Sequence, residues 1–264
     1  KARRWAARRP VARPSDAPVV IFAVPLVSRR RASDWNVVTE NLTKTLESFL
    51  RQTDPNWIAI ICGQDRPDLP DDPRITFLEA RVSDKFYDKG DKRRILINHV
   101  SRTYRSDAYY MQFDADDILH PQFVAHVHGA NNGRGMFIDQ GYFLSFSAGA
   151  MARLESFHMH CGSCGAVYVD FRKSRHHVKL LNEMRSHTKI VELAEQFGQP
   201  LDALPFPAAI YMTGHGENMV ARRGKLDQRT RNFLNAELPA SEAQAVLEEF
   251  GIPEVRDVLR RPGE

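Results

Sequence analysis

The chain has 264 residues, enough for one large domain or two small ones, and its 42% apolar and 27% charged residues are ordinary for a globular protein. No apolar run in the sequence approaches the ~18 residues that a membrane-spanning helix needs. The net charge of +4 is small, and beyond the N-terminus acids and bases are interspersed, so we predict no nucleic-acid partner.

The first 17 residues are predicted to form a basic, flexible tail. The bases that precede the first acid, Asp16, are Lys1, Arg3, Arg4, Arg8, Arg9 and Arg13. Such a tract suits a solvated tail, and peripheral contact with anionic lipid is the alternative. The apolar stretch of a signal peptide does not follow these bases, and three cysteines fit a reducing compartment. We therefore predict a cytoplasmic location, with the inner face of the membrane as the alternative.

The first half of the chain alternates predicted strands and helices. Strands are expected from Val19 to Val27, from Trp57 to Cys62 and from Arg74 to Leu78. The first helix is predicted by apolar residues at spacings of four, four and three, namely Val38, Leu42, Leu46 and Phe49. A second helix opens at Gly90, and a fourth strand follows it. This order predicts a mostly parallel sheet that binds ligands beyond the carboxyl ends of its strands.

The most informative segment is Ala108 to Pro121, where an apolar and aromatic run leads into Asp114, Asp116 and Asp117. Three carboxylates this close repel one another unless a cation lies among them. Magnesium and manganese prefer carboxylate oxygens and keep coordination positions open for water and phosphate. The segment therefore predicts a divalent-metal site, in preference to acids that only solvate or cap a turn.

The second half of the chain is less regular. We predict a hairpin, a strand, a helix and a short strand, in the order Met136 to Phe146, Cys164 to Phe171, Ser186 to Phe197 and Ala208 to Met212. Near the end, Ser241 and Gln244 have the spacing of a capping box for a helix that Gly251 terminates.

A run of histidine and cysteine is the other possible metal site. His158, His160, Cys161 and Cys164 are close enough in sequence to hold zinc. No second ligand pair follows at zinc-finger spacing, so packing around a glycine-rich bend is the favoured interpretation and zinc stays the alternative.

These motifs resemble those of the family 2 glycosyltransferases and their relatives of the GT-A fold. The similarity rests on Val24-Pro25, on Leu50-Arg-Gln52, on Asp65 and above all on Phe113-Asp-Ala-Asp-Asp-Ile-Leu-His-Pro121, which is similar to the DxD segment of that family. It covers about Val19 to Met219. Lys85 to Arg94 and Cys-Gly-Ser-Cys-Gly-Ala166 are also similar to a bacterial group of rhamnosyltransferases. The resemblance implies a GT-A type α/β fold, a mostly parallel doubly wound nucleotide-binding sheet merged with a smaller mixed acceptor-side region.

The resemblance also implies a domain plan and an activity. We predict the basic tail at 1–17, a glycosyltransferase domain at 18–225 and a C-terminal helical extension at 226–264. Residues 18–120 would form the nucleotide-sugar half and 121–225 the acceptor half. The implied enzyme moves a hexosyl or deoxyhexosyl group from a UDP-, dTDP- or GDP-linked donor to a glycan, lipid-linked or other hydroxyl acceptor, with inversion, in bacterial surface polysaccharide synthesis.

The resemblance assigns roles to the acids and to one histidine. Asp65 would bind the nucleobase and Asp114 the ribose, while Asp117 would lie close to the donor sugar. Asp116 would coordinate Mn²⁺ or Mg²⁺ at the diphosphate. His215 lies where many relatives place a histidine that binds the metal or the diphosphate.

Other residues complete the predicted site. Pro25 ends the first strand, and Lys92 and Arg93 begin the second helix, where a diphosphate would find cations and N–H donors. Inverting relatives carry an acidic pair in the helix after the glycine bend, and this chain does not. His187 is a competent base near neutral pH and is the first candidate, with Glu183 second. The base and the stereochemical outcome stay open.

A phosphatase of the haloacid dehalogenase type is the alternative function. Asp114-x-Asp116 after an apolar strand approximates its nucleophile motif, in which the first Asp attacks phosphate and the second acts as acid and base. That motif normally follows the first strand of its domain, whereas three predicted strands precede it here. A nucleotidyltransferase is disfavoured because Val19 to Arg31 lacks a glycine-rich loop.

Overall fold

Two β-sheets organise the structure, a computed structural model that describes residues 13–172, 178–218 and 226–259. In chain order the strands are β1 Val19–Pro25, β2 Trp57–Gly63, β3 Ile75–Glu79, β4 Asp107–Gln112, β5 Asp117–Leu119, β6 Gly135–Phe137, β7 Gly141–Ser145, β8 Ala150–Leu154, β9 Gly165–Asp170, β10 Asp202–Ala203 and β11 Ala209–Thr213. The helices are α1 Trp35–Leu50, α2 Lys89–Thr103, α3 Phe123–Ala130, α4 Val178–Glu183, α5 Ile190–Gln196, α6 Leu226–Phe233 and α7 Ala240–Glu249. Most of the predicted basic tail lies outside the described residues.

The larger sheet has the strand order β10-β6-β9-β4-β1-β2-β3. β4, β1, β2 and β3 are parallel neighbours, whereas β9 runs antiparallel to both β4 and β6. The chain passes from β1 to β2 through α1 and from β3 to β4 through α2. Every residue of β1 is buried, as is typical of a parallel strand covered on both faces. The predicted α/β class with a mostly parallel sheet is confirmed.

An aromatic cluster fixes the end of β4. Phe22 on β1 stacks on Phe49 of α1 with ring centroids 4.1 Å apart, and Phe113 meets Phe49 edge to face at 5.1 Å. All three rings are fully buried, and each burial contributes roughly 2–3 kcal/mol. Because Phe113 directly precedes Asp114, this packing sets where the acidic segment leaves the sheet.

The smaller sheet has the order β5-β11-β7-β8, so the acidic segment joins the two sheets. A separate apolar cluster lies beneath it, built from β-strand residues such as Leu144 and Met151 and from Leu247 and Phe250 at the end of α7. The described part of the predicted C-terminal extension therefore packs on this sheet. Within the described ranges, no helix has both the length and the apolar character needed to cross a bilayer.

A polar stripe on α1 covers the free edge of β5. Thr45 donates to the carbonyl of Asp117 at 2.8 Å, and the Ser48 hydroxyl accepts the amide of Leu119 at 3.2 Å. Farther along the same face, Gln52 donates to the carbonyl of His120 at 2.9 Å. The stripe thus pairs backbone groups that would otherwise be buried without partners.

One prediction about strand pairing was wrong. Met136 to Phe146 is not a hairpin, because β6 lies in the larger sheet and β7 in the smaller one. Both strands have the apolar pattern of buried strands, and that pattern does not reveal which sheet a strand joins.

One prediction about a helix start was also wrong. Ser241 and Gln244 form no capping box, because α7 begins one residue earlier, at Ala240, and has no side-chain hydrogen bond at its N-cap. The helix predicted from Ser186 to Phe197 is present, with a 3-10 turn at His187–Lys189 as its first turn and α5 after it. Gly251, with φ at +72°, does follow the end of α7 as predicted.

Asp107 ties the segment before β1 to the larger sheet. Ser15 donates its amide and its hydroxyl to the two carboxylate oxygens at 2.7 and 2.6 Å, and the Tyr168 hydroxyl donates at 2.8 Å. Burial alone would raise the pKa of Asp107, but the hydrogen bonds from Ser15 and Tyr168 outweigh it and hold the pKa below its ordinary value.

We expect Asp107→Asn to lower the free energy of unfolding at pH 7 by roughly 2–4 kcal/mol, because an amide cannot accept all of these hydrogen bonds. The folded-state pKa of Asp107 is depressed, so its contribution is present above the unfolded pKa of about 3.9 and is lost as pH falls below it. Urea unfolding at pH 7 and pH 3 should therefore show a gap between wild type and variant that narrows in acid. Asp16→Asn, at an exposed acid nearby, is the matched control. A gap of the same size at both pH values would contradict this account.

Candidate active site

The three carboxylates of the acidic segment lie where the two sheets meet. The amide of Phe113 donates to the carbonyl of Ala23 at 3.0 Å, which extends the pairing of β4 with β1 up to the first acid. The ligand atoms of Asp114, Asp116 and Asp117 all lie within 4.8 Å of one another. Among the described residues, this is the one group of three or more His, Cys, Asp and Glu side chains that could share a metal ion.

Asp117 is fully buried beneath the other two acids. Its Oδ2 accepts hydrogen bonds from Cys161 Sγ at 2.9 Å and Ser163 Oγ at 2.6 Å, while its buried Oδ1 has no hydrogen-bond partner. Burial, and then the charges of Asp116 and Asp114, raise the pKa of Asp117 well above its ordinary value despite these hydrogen bonds. A divalent cation would supply the missing positive charge, and hard carboxylate oxygens are the donors that Mg²⁺ and Mn²⁺ prefer. The residues therefore fit such an ion.

Asp116 points toward the loop after β11. Its Oδ2 accepts a hydrogen bond from Asn218 Nδ2 at 2.9 Å and lies 3.2 Å from His215 Nε2. Asn218 is itself fixed, because its Oδ1 accepts the amide of Gly214 and its Nδ2 also donates to the carbonyl of Met212. The structure thus brings His215 to the predicted acid, and it adds Asn218, which the sequence reasoning had not assigned to the site.

Asp114 is paired with a lysine that the sequence reasoning did not assign to the site. Lys89, the first residue of α2, places Nζ 2.6 Å from Asp114 Oδ1, and Ser163 Oγ accepts the amide of Asp114 at 2.8 Å. Burial would raise the pKa of Asp114, but the positive charges of Lys89 and Arg93 outweigh it and hold the pKa below its ordinary value. Asp114 is therefore ionised in this arrangement.

Lys92 is placed differently from Lys89. Its side chain is buried, with Nζ donating to the carbonyl of Leu26 at 2.6 Å and lying 2.9 Å from Asp88 Oδ2. The two lysines are three residues apart at the same helix start, and the rotation of the helix decides which one reaches the carboxylates. The sequence alone does not show whether Lys89 or Lys92 contacts the carboxylates, because that depends on how α2 packs against β1.

A cleft of about 160 Å³ opens over the carboxylates at the carboxyl edge of the larger sheet. The predicted residues that line it are Pro25, Lys92, Asp114, Asp116 and His215, and Arg31, Tyr87, Lys89 and Asn218 line it as well. Its rim is closed by Glu217, whose carboxylate accepts the amide of Asp34 before α1 at 2.6 Å.

Asp65 and Arg93 lie outside the lining of this cleft. Asp65 follows β2 at the same sheet edge, where its carboxylate accepts the amide of Arg29 at 2.8 Å. Arg93 lines a second, smaller cavity behind Asp114, together with His187. The nucleobase role of Asp65 stays a prediction.

The two candidate bases are in different places. His187 lines the smaller cavity, and its Nδ1 lies 2.9 Å from the carbonyl oxygen of His158. Because a carbonyl only accepts, Nδ1 carries the hydrogen, and Nε2 is the nitrogen left to take up a proton. Glu183 is exposed at the end of α4 and lines a separate surface groove.

The histidine and cysteine run does not converge on one point. The Cys161 thiol donates to Asp117, as described above, and His158 Nδ1 lies 3.4 Å from Asp139 Oδ1. The ring of His160 packs edge to face on Phe233, and Cys164 lines the smaller cavity. The run therefore supports the acidic segment from below, through Cys161 and Ser163.

The sequence matches no protein-family model and no curated protein. Among solved structures, a similar chain is that of 4-diphosphocytidyl-2C-methyl-D-erythritol synthase, at 13% sequence identity. The match covers 79% of this chain and 98% of that one, with a TM-score of 0.38. At this TM-score the likeness identifies neither a family nor an activity for this chain.

We expect Asp116→Asn to weaken Mn²⁺ binding about 100-fold or more, because even residues that only orient metal ligands typically contribute 10–100-fold. Calorimetric titration of Mn²⁺ into each protein measures the effect. Asp68→Asn removes the same charge from an exposed position and should bind like wild type. Equal Mn²⁺ affinity in Asp116→Asn and wild type would show that the acidic cluster is not the metal site.

Gly162→Ala is expected to weaken Mn²⁺ binding about tenfold without unfolding the protein. A Cβ at Gly162 would lie 2.8 Å from Asp114 Oδ2, so the carboxylate must move. Gly129→Ala, where a Cβ meets nothing within 4 Å, is the matched control. Unchanged Mn²⁺ affinity in Gly162→Ala would mean that the position of Asp114 does not matter for the ion.

Proposed function

We propose that this chain is a metal-dependent glycosyltransferase that binds a nucleotide-sugar in the cleft. The observation that carries the proposal is the carboxylate cluster facing a cleft that also contains Lys89 and Arg31. A diphosphate leaving group needs both a metal ion and nearby cations as its charge develops. The position at the carboxyl edge of a mostly parallel sheet supports the same reading, because ligands bind there in such sheets.

The metal would be held by the acidic segment, with His215 beside it. Mn²⁺ or Mg²⁺, when bound, would act as a Lewis acid and as a template for the diphosphate. The protein's own contribution is to orient the ligands. Asn218 fixes Asp116, and Ser163 and Cys161 fix Asp117, so that the carboxylates keep their positions as charge changes nearby.

His187 is the base that the geometry favours. The acceptor hydroxyl must give up a proton as its oxygen bonds to the anomeric carbon and the diphosphate departs. Nε2 of His187 can take that proton, because Nδ1 is committed to the carbonyl of His158. His187 lines the same cavity as Gly162, which lies against the Asp114 carboxylate, and this proximity to the cluster supports the assignment. Glu183 lacks this proximity to the site, since it lines a different groove.

The proposal extends to the substrates and the domain plan. The donor would be UDP-, dTDP- or GDP-linked, and the acceptor a glycan or a lipid-linked hydroxyl. Residues 18–120 supply β1, α2 and the acids, and would form the nucleotide-sugar half. Residues 121–225 supply His187, His215 and Asn218, and would form the acceptor half around that base. A cytoplasmic location, with contact at the inner face of the membrane, belongs to the same proposal.

Thermal unfolding in the presence of UDP, GDP, CMP or dTDP, each with and without Mn²⁺, tests the function. We expect one nucleoside diphosphate to stabilise the protein only when Mn²⁺ is present. At a hundredfold excess over its dissociation constant, the gain should be ~2.7 kcal/mol, or roughly 5–10 °C for a chain of this size. Asp116→Asn should lose the response and Asp68→Asn should keep it.

The same assay distinguishes a glycosyltransferase from a phosphatase of the haloacid dehalogenase type. Stabilisation by Mg²⁺ with a phosphate mimic such as fluoroberyllate, and by no nucleotide, would overturn the glycosyltransferase proposal. It would assign Asp114 and Asp116 to phosphoryl transfer instead.

A further inference from the structure

A second cavity lies directly behind Asp114, and its interior measures only about 30 Å³, room for roughly two water molecules. It is bounded by β4 and β9 on one side and by α4 and α5 on the other, with residues such as Tyr110, Val167, Leu181 and Ile190. Gly162 forms the wall toward the acidic cluster, since a Cβ added at this glycine would lie 2.8 Å from the Asp114 carboxylate. His187 lines the cavity too. The cavity therefore lies between the carboxylate cluster and the candidate base.

Two hydrogen-bond donors in this cavity are buried without partners. The hydroxyl of Tyr110 and Nε of Arg93 have no hydrogen-bond partner, and Tyr110 is only 1% exposed. An unpaired buried donor typically costs about 1–3 kcal/mol. Burial raises the pKa of the Tyr110 phenol above its ordinary value, so the hydroxyl stays protonated and remains a donor. Both groups can therefore donate a hydrogen bond to a ligand oxygen that enters the cavity.

The charge balance of the cavity favours an anion. Its described lining contains Arg93 and His187 but no carboxylate. Asp114 lies on the other side of Gly162 and is already paired with Lys89 at 2.6 Å. The positive charge of Arg93 therefore has no acid to match it inside the cavity. Apolar residues form part of the wall, and low-polarity surroundings strengthen a charge-assisted hydrogen bond.

We propose that this cavity binds a carboxylate carried by the transferred sugar, so that the donor is a nucleotide-linked uronic acid or another acidic sugar. The inference rests on the proposed function, because the sugar reaches the cavity only if its diphosphate occupies the neighbouring cleft. Arg93 and Tyr110 would donate to the carboxylate, whose two oxygens would take the space of about two water molecules. A neutral sugar would leave the hydrogen-bond donors of Arg93 and Tyr110 unpaired. This cost would let the protein discriminate between acidic and neutral sugars.

Donor pairs that differ only at the carboxylate test this inference on the full chain. The pairs are UDP-glucuronate with UDP-glucose, GDP-mannuronate with GDP-mannose, and dTDP-glucuronate with dTDP-glucose. Affinities are measured by calorimetry with Mn²⁺ and without acceptor. For the nucleotide that binds, we expect the acidic donor to bind at least about tenfold more tightly than the neutral one. Arg93→Gln and Tyr110→Phe should each reduce that preference to within about twofold.

Controls keep the outcomes distinct. Arg94→Gln removes a neighbouring exposed arginine that pairs with Asp91, and it should keep the full preference. Cooperative thermal unfolding shows that each variant is folded, independently of ligand binding. Equal affinity for acidic and neutral donors in the native protein would overturn the inference while the glycosyltransferase stands. Arg93→Gln that loses diphosphate affinity but keeps the acid preference would also overturn it, and absence of any metal-dependent nucleotide binding would overturn both proposals.

Discussion

Repulsion among three carboxylates at one sheet junction is the constraint on which the rest of the site depends. Phe113 packs in the core and delivers Asp114 and Asp116 to the cleft, while Asp117 continues into the smaller sheet. Each acid then receives an ion pair or hydrogen bonds from a different part of the chain. Lys89 on α2 pairs with the first, the loop after β11 holds the second, and the loop before β9 donates to the third. The site exists only when all of these elements are assembled.

Local patterns were enough to predict much of the fold. The apolar runs of β1 and β2 and the spacing along α1 follow directly from burial against one face or two. The acidic segment could also be predicted as a candidate metal site, because three closely spaced acids after an aromatic strand repel one another unless a cation binds among them. The sequence did not reveal which distant residues contact the acidic segment. Ser163 lies 46 residues from Asp117, and the choice of Lys89 over Lys92 depends on how α2 is rotated in the fold.

The sheet assignments failed for a related reason. β6 and β7 are separated by three residues and both are apolar, yet they join different sheets. The pairing of a strand depends on its long-range partner, whereas its sequence records only that it is buried. The candidate base shows the same limit. A helix start at Ser186 and a 3-10 turn at His187 look alike in sequence, but the turn carries the histidine whose Nδ1 meets the carbonyl of His158.

The polar stripe on α1 has a consequence for strand register. β5 is three residues long, and a strand that short could slip by one residue against β11. Such a slip would exchange the two buried faces of the strand, so that Ile118 would leave the apolar cluster of the smaller sheet and Asp117 would turn away from Cys161 and Ser163. Thr45 and Ser48 bond the backbone of residues 117 and 119, two positions apart, so the slipped alignment would lose both bonds. The helix thereby specifies the face of β5 from which Asp117 accepts its two hydrogen bonds.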